Sequence, residues 1–324
     1  MPNRRRSGCL RPLIVLMLIV VIFAAVSFVL PTPAADGVDP RTLADPNGQF
    51  LTVDGVQLYL VDRGSGTPVL FLHGLFGSTH VWRYNLEAVA AAGFRAIAFD
   101  RPGAGLSDKP ESFNYGYPRN ADLIAKLMDA LEIKQAVIVG HSAGGGLAGH
   151  FALRYPDRVL KLVWVDAAVI GAAGPPPFVG GLIGLAPVWR WARAILPALL
   201  NEGQLRETLK AFYVNPSFLT EADYAGYLRV LRTANWDVGL LGLTRDAGPN
   251  RLTDADLAAI SARVGARTLI LWGEKDTVTP FESGQQLAAR IAGSTFQSFP
   301  NVGHQPHEEA SDAFNTALIA YLKR

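Results

Sequence analysis

From Phe50 onward, short apolar runs alternate with longer stretches in which apolar residues recur every three or four positions, the two periods of strand and helix. Phe50–Gly55 and Val56–Asp62 flank Asp54-Gly55 and predict a β-hairpin. Pro68–His73, Phe94–Asp100, Gln135–Val139, Val159–Val165, Thr268–Trp272 and Thr295–Phe299 read as strands. Helical spacing covers Thr79–Ala92, Asn120–Leu131, Leu147–Tyr155, Glu282–Ile291 and Glu308–Leu322. Strands and helices alternating in this way predict an α/β fold, a mostly parallel, doubly wound sheet covered on both faces. The alternation stops after Asp166. Residues 170–250 are rich in glycine, proline and aromatics, with helical stretches at Leu205–Phe212 and Glu221–Thr233. They predict a helical insertion over the strand ends, within a core made of residues 49–169 and 251–324.

The amino terminus has a different pattern. Leu13–Leu30 is an 18-residue uncharged run with one polar residue, Ser27. As a helix it would be about 27 Å long, near the thickness of a bilayer's hydrocarbon core. Arg4, Arg5, Arg6 and Arg11 precede it, so the expectation is an uncleaved signal anchor at 13–30 with residues 1–12 in the cytoplasm. A cleaved signal peptide is the competing reading. Residues 31–48 would be a linker, and the folded domain would lie on the non-cytoplasmic side, periplasmic or extracellular in a bacterium.

Composition changes this picture only modestly. The net charge of +2 comes from that segment, because the four arginines leave 26 basic and 28 acidic residues elsewhere. That is no nucleic-acid footprint. Cys9 is the only cysteine, which excludes an intrachain disulfide and a cysteine metal site. The six histidines show no metal-binding spacing, and no cofactor is expected. The oligomeric state stays open.

The chemistry gathers at the ends of the strands, where ligands bind in open α/β sheets. His73-Gly74, Asp100, Ser142 and Asp166 all fall there. Gly140-His-Ser142-Ala-Gly144, between a strand and a helix, has the form of a nucleophile elbow, with glycines where strand and helix must pack closely. A serine hydroxyl is a weak nucleophile at neutral pH, so it needs a base and an acid to orient that base. Asp276 follows the strand ending at Trp272, and His304 follows the strand ending at Phe299. The order Ser142, Asp276, His304 is that of a Ser-His-Asp triad on this architecture. Glu274 and Asp166 compete for the acid, and His307 for the base. His73 is expected to support its loop, and His141 has no assigned role.

With these motifs, the Asp100-Arg-Pro-Gly103 loop and the Gly303-His304-x-Pro306 turn, the chain resembles the α/β-hydrolase superfamily over about residues 50–324. The resemblance implies a lid at residues 170–250 and an oxyanion hole formed by the backbone N–H groups of Leu75 and Ala143. It also implies that Ser142 excludes epoxide opening and carbon–halogen cleavage, whose family members carry aspartate there. The leading expectation is a membrane-tethered serine hydrolase that cleaves a small-molecule carboxylic ester, lipophilic acyl esters included. In it, the apolar segment Phe178–Trp191 either contacts acyl chains or packs on the core. The alternatives are a carbon–carbon bond hydrolase of ring-cleavage products, whose substrate carboxylate Arg190 or Arg193 would bind, and a hydrolase-like receptor without turnover.

Overall fold

A computed structural model describes residues 10–31, 37–170, 177–246 and 251–324. The first helix, α1, runs from Leu10 to Ser27. The hairpin forms as predicted: β1 (Gly48–Val53) pairs antiparallel with β2 (Val56–Gly64). Its two turn residues, Asp54 and Gly55, both have positive φ (53° and 77°), the requirement of a two-residue turn that follows the strand twist. Next come β3 (Thr67–Leu72), α2 (Leu86–Ala91), β4 (Phe94–Phe99), α3 (Tyr117–Ala130), β5 (Ala136–His141), α4 (Ala143–Arg154) and β6 (Val159–Val165). Five helices follow without a strand among the described residues: α5 (Pro177–Ile183), α6 (Ala186–Leu199), α7 (Glu202–Lys210), α8 (Glu221–Leu228) and α9 (Trp236–Arg245). The chain ends with α10 (Asp254–Val264), β7 (Thr268–Gly273), α11 (Phe281–Arg290), β8 (Thr295–Phe299), α12 (Pro306–Glu309) and α13 (Ser311–Leu322).

The eight strands form one sheet in the order β1-β2-β4-β3-β5-β6-β7-β8, parallel from β4 to β8. Alternate residues of each strand face opposite sides, and both sides are covered. Leu70, Leu72, Ile97, Ile138, Leu162 and Trp164 pack with α3, α4 and α10, whereas Val69, Phe71, Ala98, Val139, Val163 and Leu271 pack with α2 and α13.

Two predicted helices are broken. Thr79–Ala92 divides into a 3₁₀ turn (Thr79–Trp82) and α2, because the buried Asn85 between them donates to the His307 carbonyl and to Asn315 (both 2.9 Å). The predicted helix Glu308–Leu322 divides at Ala310, whose φ of −129° is outside the helical range.

The inserted helices sit directly on the strand ends. A Cβ at Gly239 of α9 would lie 1.9 Å from the Gly103 carbonyl in the loop after β4, so the two backbones touch. Arg193 of α6 donates to Asp237 of α9 at 2.6 Å, both side chains buried, and also pairs with Glu111. Removing one partner of a buried pair leaves a charge unmet. Asp237→Asn is therefore expected to lower stability by about 2 kcal/mol. A denaturant titration checks this, and an unchanged midpoint would contradict it.

The expected anchor requires correction. Among the described residues no helix is long and apolar enough to cross a membrane. Helix α1 contains Arg11 and Pro12 in its first turn and stops at Ser27, three residues before the predicted end. Its uncharged stretch, Leu13–Ser27, spans about 22 Å, short of a hydrocarbon core of about 30 Å. The far end of α1 is held by α6. Phe23 stacks on Trp191 (centroids 5.2 Å apart), whose indole donates to the Phe23 carbonyl at 3.0 Å, and Arg190 donates to the Ser27 carbonyl at 2.8 Å. The non-cytoplasmic placement and the membrane partner rested on that anchor and are withdrawn with it. Residues 1–9 of the expected basic segment, 32–36 of the expected linker, and 171–176 and 247–250 of the predicted insertion lie outside the described residues.

Candidate functional site

Ser142 is held on a strained bend. It lies between β5 and α4 with φ 52° and ψ −121°, a conformation rare for residues with a side chain. Its flanking glycines are required by contact. A Cβ on Gly140 would lie 2.4 Å from the Gly144 carbonyl, and one on Gly144 would lie 2.2 Å from the Leu72 carbonyl at the end of β3. The bend aims the hydroxyl off the sheet at the start of α4. There Ala143, as the first helical residue, has an N–H without a partner inside the helix. The loop carrying Gly74 and Leu75 lies against it, since a Cβ on Gly74 would come within 3.0 Å of the Ser142 Cβ.

The structure brings together the three residues expected to meet. His304 Nε2 is 2.9 Å from Ser142 Oγ, and its Nδ1 is 2.7 Å from Asp276 Oδ2. All three are buried. Burial opposes charge on Asp276, but the hydrogen bonds and charge of His304, with those of Asp166 and Thr279, hold its carboxyl below the ordinary value. The turn after Asp276 supplies more donors: its Oδ1 accepts from the N–H groups of Val278 (2.7 Å) and Thr279 (2.9 Å). The Thr279 hydroxyl is 2.5 Å from Oδ2.

The competing residues are elsewhere. Glu274 is exposed and accepts from Ser298 at 2.7 Å. His307 is buried against Trp82 and His141, and among the described residues neither ring nitrogen has a hydrogen-bond partner, the Glu308 carboxylate standing 4.0 Å from Nε2. His73 supports its loop, as expected: Nδ1 donates to the Gly74 carbonyl at 2.8 Å, and Nε2 accepts from the Arg101 N–H at 3.1 Å. Arg190 is spent on α1, and Arg193 on Asp237 and Glu111.

Asp166 does not touch His304 by hydrogen bond; it stands behind Asp276. One oxygen accepts from the Gly273 N–H at 2.9 Å, and the other is buried with no hydrogen-bond partner among the described residues. Ligand atoms of Asp166, Asp276 and His304 lie within 4.8 Å of one another, which is the spacing of a small cation site. Both nitrogens of His304, however, already face Ser142 and Asp276. Burial first, and the Asp276 charge second, push the Asp166 carboxyl well above its ordinary value. A neutral Asp166 would spare Asp276 a second buried negative charge beside it. The sign follows from that direction: the contribution of Asp166 to stability is complete below its unfolded value and is lost as pH rises through its folded one. Asp166→Asn, always neutral, is expected to keep kcat within about threefold and to lose less stability than the parent at alkaline pH. A pH series of thermal melts with one turnover assay checks both.

His141, which had no assigned role, reaches His304 from behind. Its Nε2 donates to the carbonyl of His304 at 2.7 Å, while the His304 N–H donates to the Phe212 carbonyl at 2.8 Å, so the backbone of His304 is held from both sides. Burial, and then His304, push the His141 imidazole down to about 3, so it stays neutral. No spacing in the sequence signals this contact, which spans 163 residues.

Beside the Gly74–Leu75 loop and beneath the inserted helices lies a pocket. Leu75, Phe76, Arg101, Leu231, Trp236 and Leu240 are among its walls.

The model of the alpha/beta hydrolase fold family matches residues 67–311. A 2-hydroxy-6-oxononadienedioate/2-hydroxy-6-oxononatrienedioate hydrolase of Escherichia coli is 29% identical over 294 residues, which are 88% of this chain and 98% of that one. Among solved structures, a meta-cleavage product hydrolase from Pseudomonas fluorescens IP01 is 28% identical with a TM-score of 0.66, covering 85% of this chain and 97% of its own. An esterase from Exiguobacterium antarcticum is 25% identical with a TM-score of 0.70, covering 86% and 100%. The acid named for the first relative has a ketone and no ester linkage. The first two of these relatives overturn the carboxylic-ester expectation and favour its carbon–carbon alternative.

Proposed function

The chain belongs to the alpha/beta hydrolase fold family, and from its site we propose that it hydrolyses the carbon–carbon bond beside the ketone of a 2-hydroxy-6-oxo-dienoic acid, a small ring-cleavage product. The observation that carries the reading is the likeness to hydrolases of such acids over nearly their whole length.

The residues have the following roles in this reading. The substrate reacts as its keto tautomer, so the C5–C6 bond lies between the C6 carbonyl and an unsaturated C2 ketone. Ser142 Oγ adds to C6 as His304 Nε2 takes its proton, and Asp276 fixes the imidazole tautomer and offsets its positive charge. The oxyanion accepts from the N–H groups of Leu75 and Ala143, which contribute a few kcal/mol each because they point at charge that develops only in the transition state. Collapse breaks C5–C6. The electron pair passes to C5 and delocalises to the C2 oxygen, and His304 returns its proton to C5. Water, deprotonated by His304, then frees the acyl group from Ser142. Residues 170–250 act as the lid that keeps other water out.

The test is bleaching of the dienolate chromophore of 2-hydroxy-6-oxo-6-phenylhexa-2,4-dienoate, with a p-nitrophenyl ester run beside it. The dienoate should be consumed with the higher kcat/KM. A protein that reacts with a fluorophosphonate at Ser142 yet leaves the dienoate untouched would refute carbon–carbon hydrolysis.

A further inference from the structure

Arg101 stands at the end of β4, with 3% of its surface exposed. Among the described residues the two other buried arginines each meet a carboxylate: Arg193 meets Asp237, and Arg229 meets Asp45. Among the described residues no carboxylate pairs with Arg101. Its Nη2 donates to the Gly74 carbonyl at 3.2 Å, the Tyr117 hydroxyl lies beside the guanidinium, and Nε is buried without a partner. A guanidinium keeps its charge at any accessible pH, so burying one unmatched is costly unless something else supplies the negative group. Arg101 lines the pocket between the Gly74–Leu75 loop and the inserted helices, whose other walls are mostly apolar.

We propose that Arg101 is the receptor for the substrate's carboxylate, and that it sets the specificity of the site for acids over neutral analogues. The pocket then has the two features that such an acid needs: an apolar channel for the conjugated chain, and one buried cation to fix its end. The role assigned to a lid arginine from the sequence moves to the loop after β4. Through Gly74, which Arg101 already holds, the bound acid is tied to the loop carrying the Leu75 N–H, so binding and oxyanion geometry are linked. The proposal rests on the carbon–carbon reading for the identity of the substrate, but not for the existence of the anion site.

The experiment uses the full chain and cis,cis-muconate, a dienedioate with no bond that this reaction would break, beside its dimethyl ester. Calorimetric titration of the parent should show muconate binding at least about tenfold tighter than the ester. Arg101→Gln keeps a donor for the Gly74 carbonyl and removes the charge. It should weaken muconate about thirtyfold or more and leave the ester within about threefold. Arg101→Lys should recover a substantial part of the loss, and its melting temperature controls for folding. With the phenyl dienoate, KM should rise in the glutamine variant far more than kcat falls. Equal affinity of the parent for muconate and its ester, or equal losses of both ligands in Arg101→Gln, would overturn the proposal. Muconate binding that depends on Arg101, in a protein that leaves the dienoate intact, removes the carbon–carbon reading and keeps the anion site. Turnover with unchanged KM in Arg101→Gln does the reverse.

Discussion

Replacement of Ser142 by alanine is expected to lower dienoate turnover by roughly 10⁴-fold or more while leaving the melting temperature nearly unchanged. The side chain removed is one hydroxyl. Alanine occupies the same φ of 52° with no more strain than serine, and the close contacts of the bend belong to Gly140 and Gly144. Activity and folding therefore separate at this residue. Removing the nucleophile of a triad typically costs as much as removing all its members, and in the proposed mechanism His304 and Asp276 act only through Ser142. A residual rate from the oxyanion donors and binding should survive. Stopped-flow traces of the dienoate with the variant and the parent make the measurement, and fluorophosphonate labelling should vanish in parallel. Turnover above a hundredth of the parent's would remove Ser142 from the chemistry.

The second large effect is on the scaffold. Gly144→Ala places a methyl 2.2 Å from the Leu72 carbonyl and 2.6 Å from that of His73, both backbone atoms at the end of a central strand. Neither can rotate away, so α4 must retreat from β3. The expected loss is about 3–4 kcal/mol. The contrasting substitution is Gly181→Ala in α5, where the new methyl meets nothing within 4 Å. Replacing glycine by alanine inside a helix is favourable by up to about 1 kcal/mol, so that variant should be neutral or slightly more stable. Guanidinium titrations of the two would decide it, and equal shifts would show that the contact at Gly144 is relieved by movement elsewhere.

The core was legible because its signals are local. A buried parallel strand reads as an unbroken apolar run, and each of the eight strands lies within about two residues of its predicted place. The bend at Ser142 was legible for the same reason, since glycine at 140 and 144 answers a steric demand four residues wide. What was lost depends on distance along the chain. Helix α10 carries a readable start, with Thr253 and Asp256 capping each other, but its apolar positions are too few to outweigh the irregular stretch before it. The division of the Thr79–Ala92 helix is set by Asn85 reaching Asn315, and the support of His304 by His141 crosses half of the chain. The apolar amino-terminal run was read through its hydropathy alone, which registers neither where the helix stops nor that Trp191 and Arg190 engage its end. Ester chemistry was a choice among reactions that share one set of groups, and those groups do not distinguish the bond they attack.

The grip of α6 on α1 has a practical side. The amino-terminal helix leans on the same inserted segment that bounds the pocket, so force or bulk applied near residue 30 is passed to the walls around Leu240 and Trp236. Immobilising the protein through its amino terminus should therefore disturb substrate entry, whereas attachment at the exposed Arg324 should leave it alone. Shortened versions starting after Phe28 would bare the ring of Trp191 and leave Arg190 without its two carbonyl partners, a poor starting point for crystallisation or for a biosensor surface.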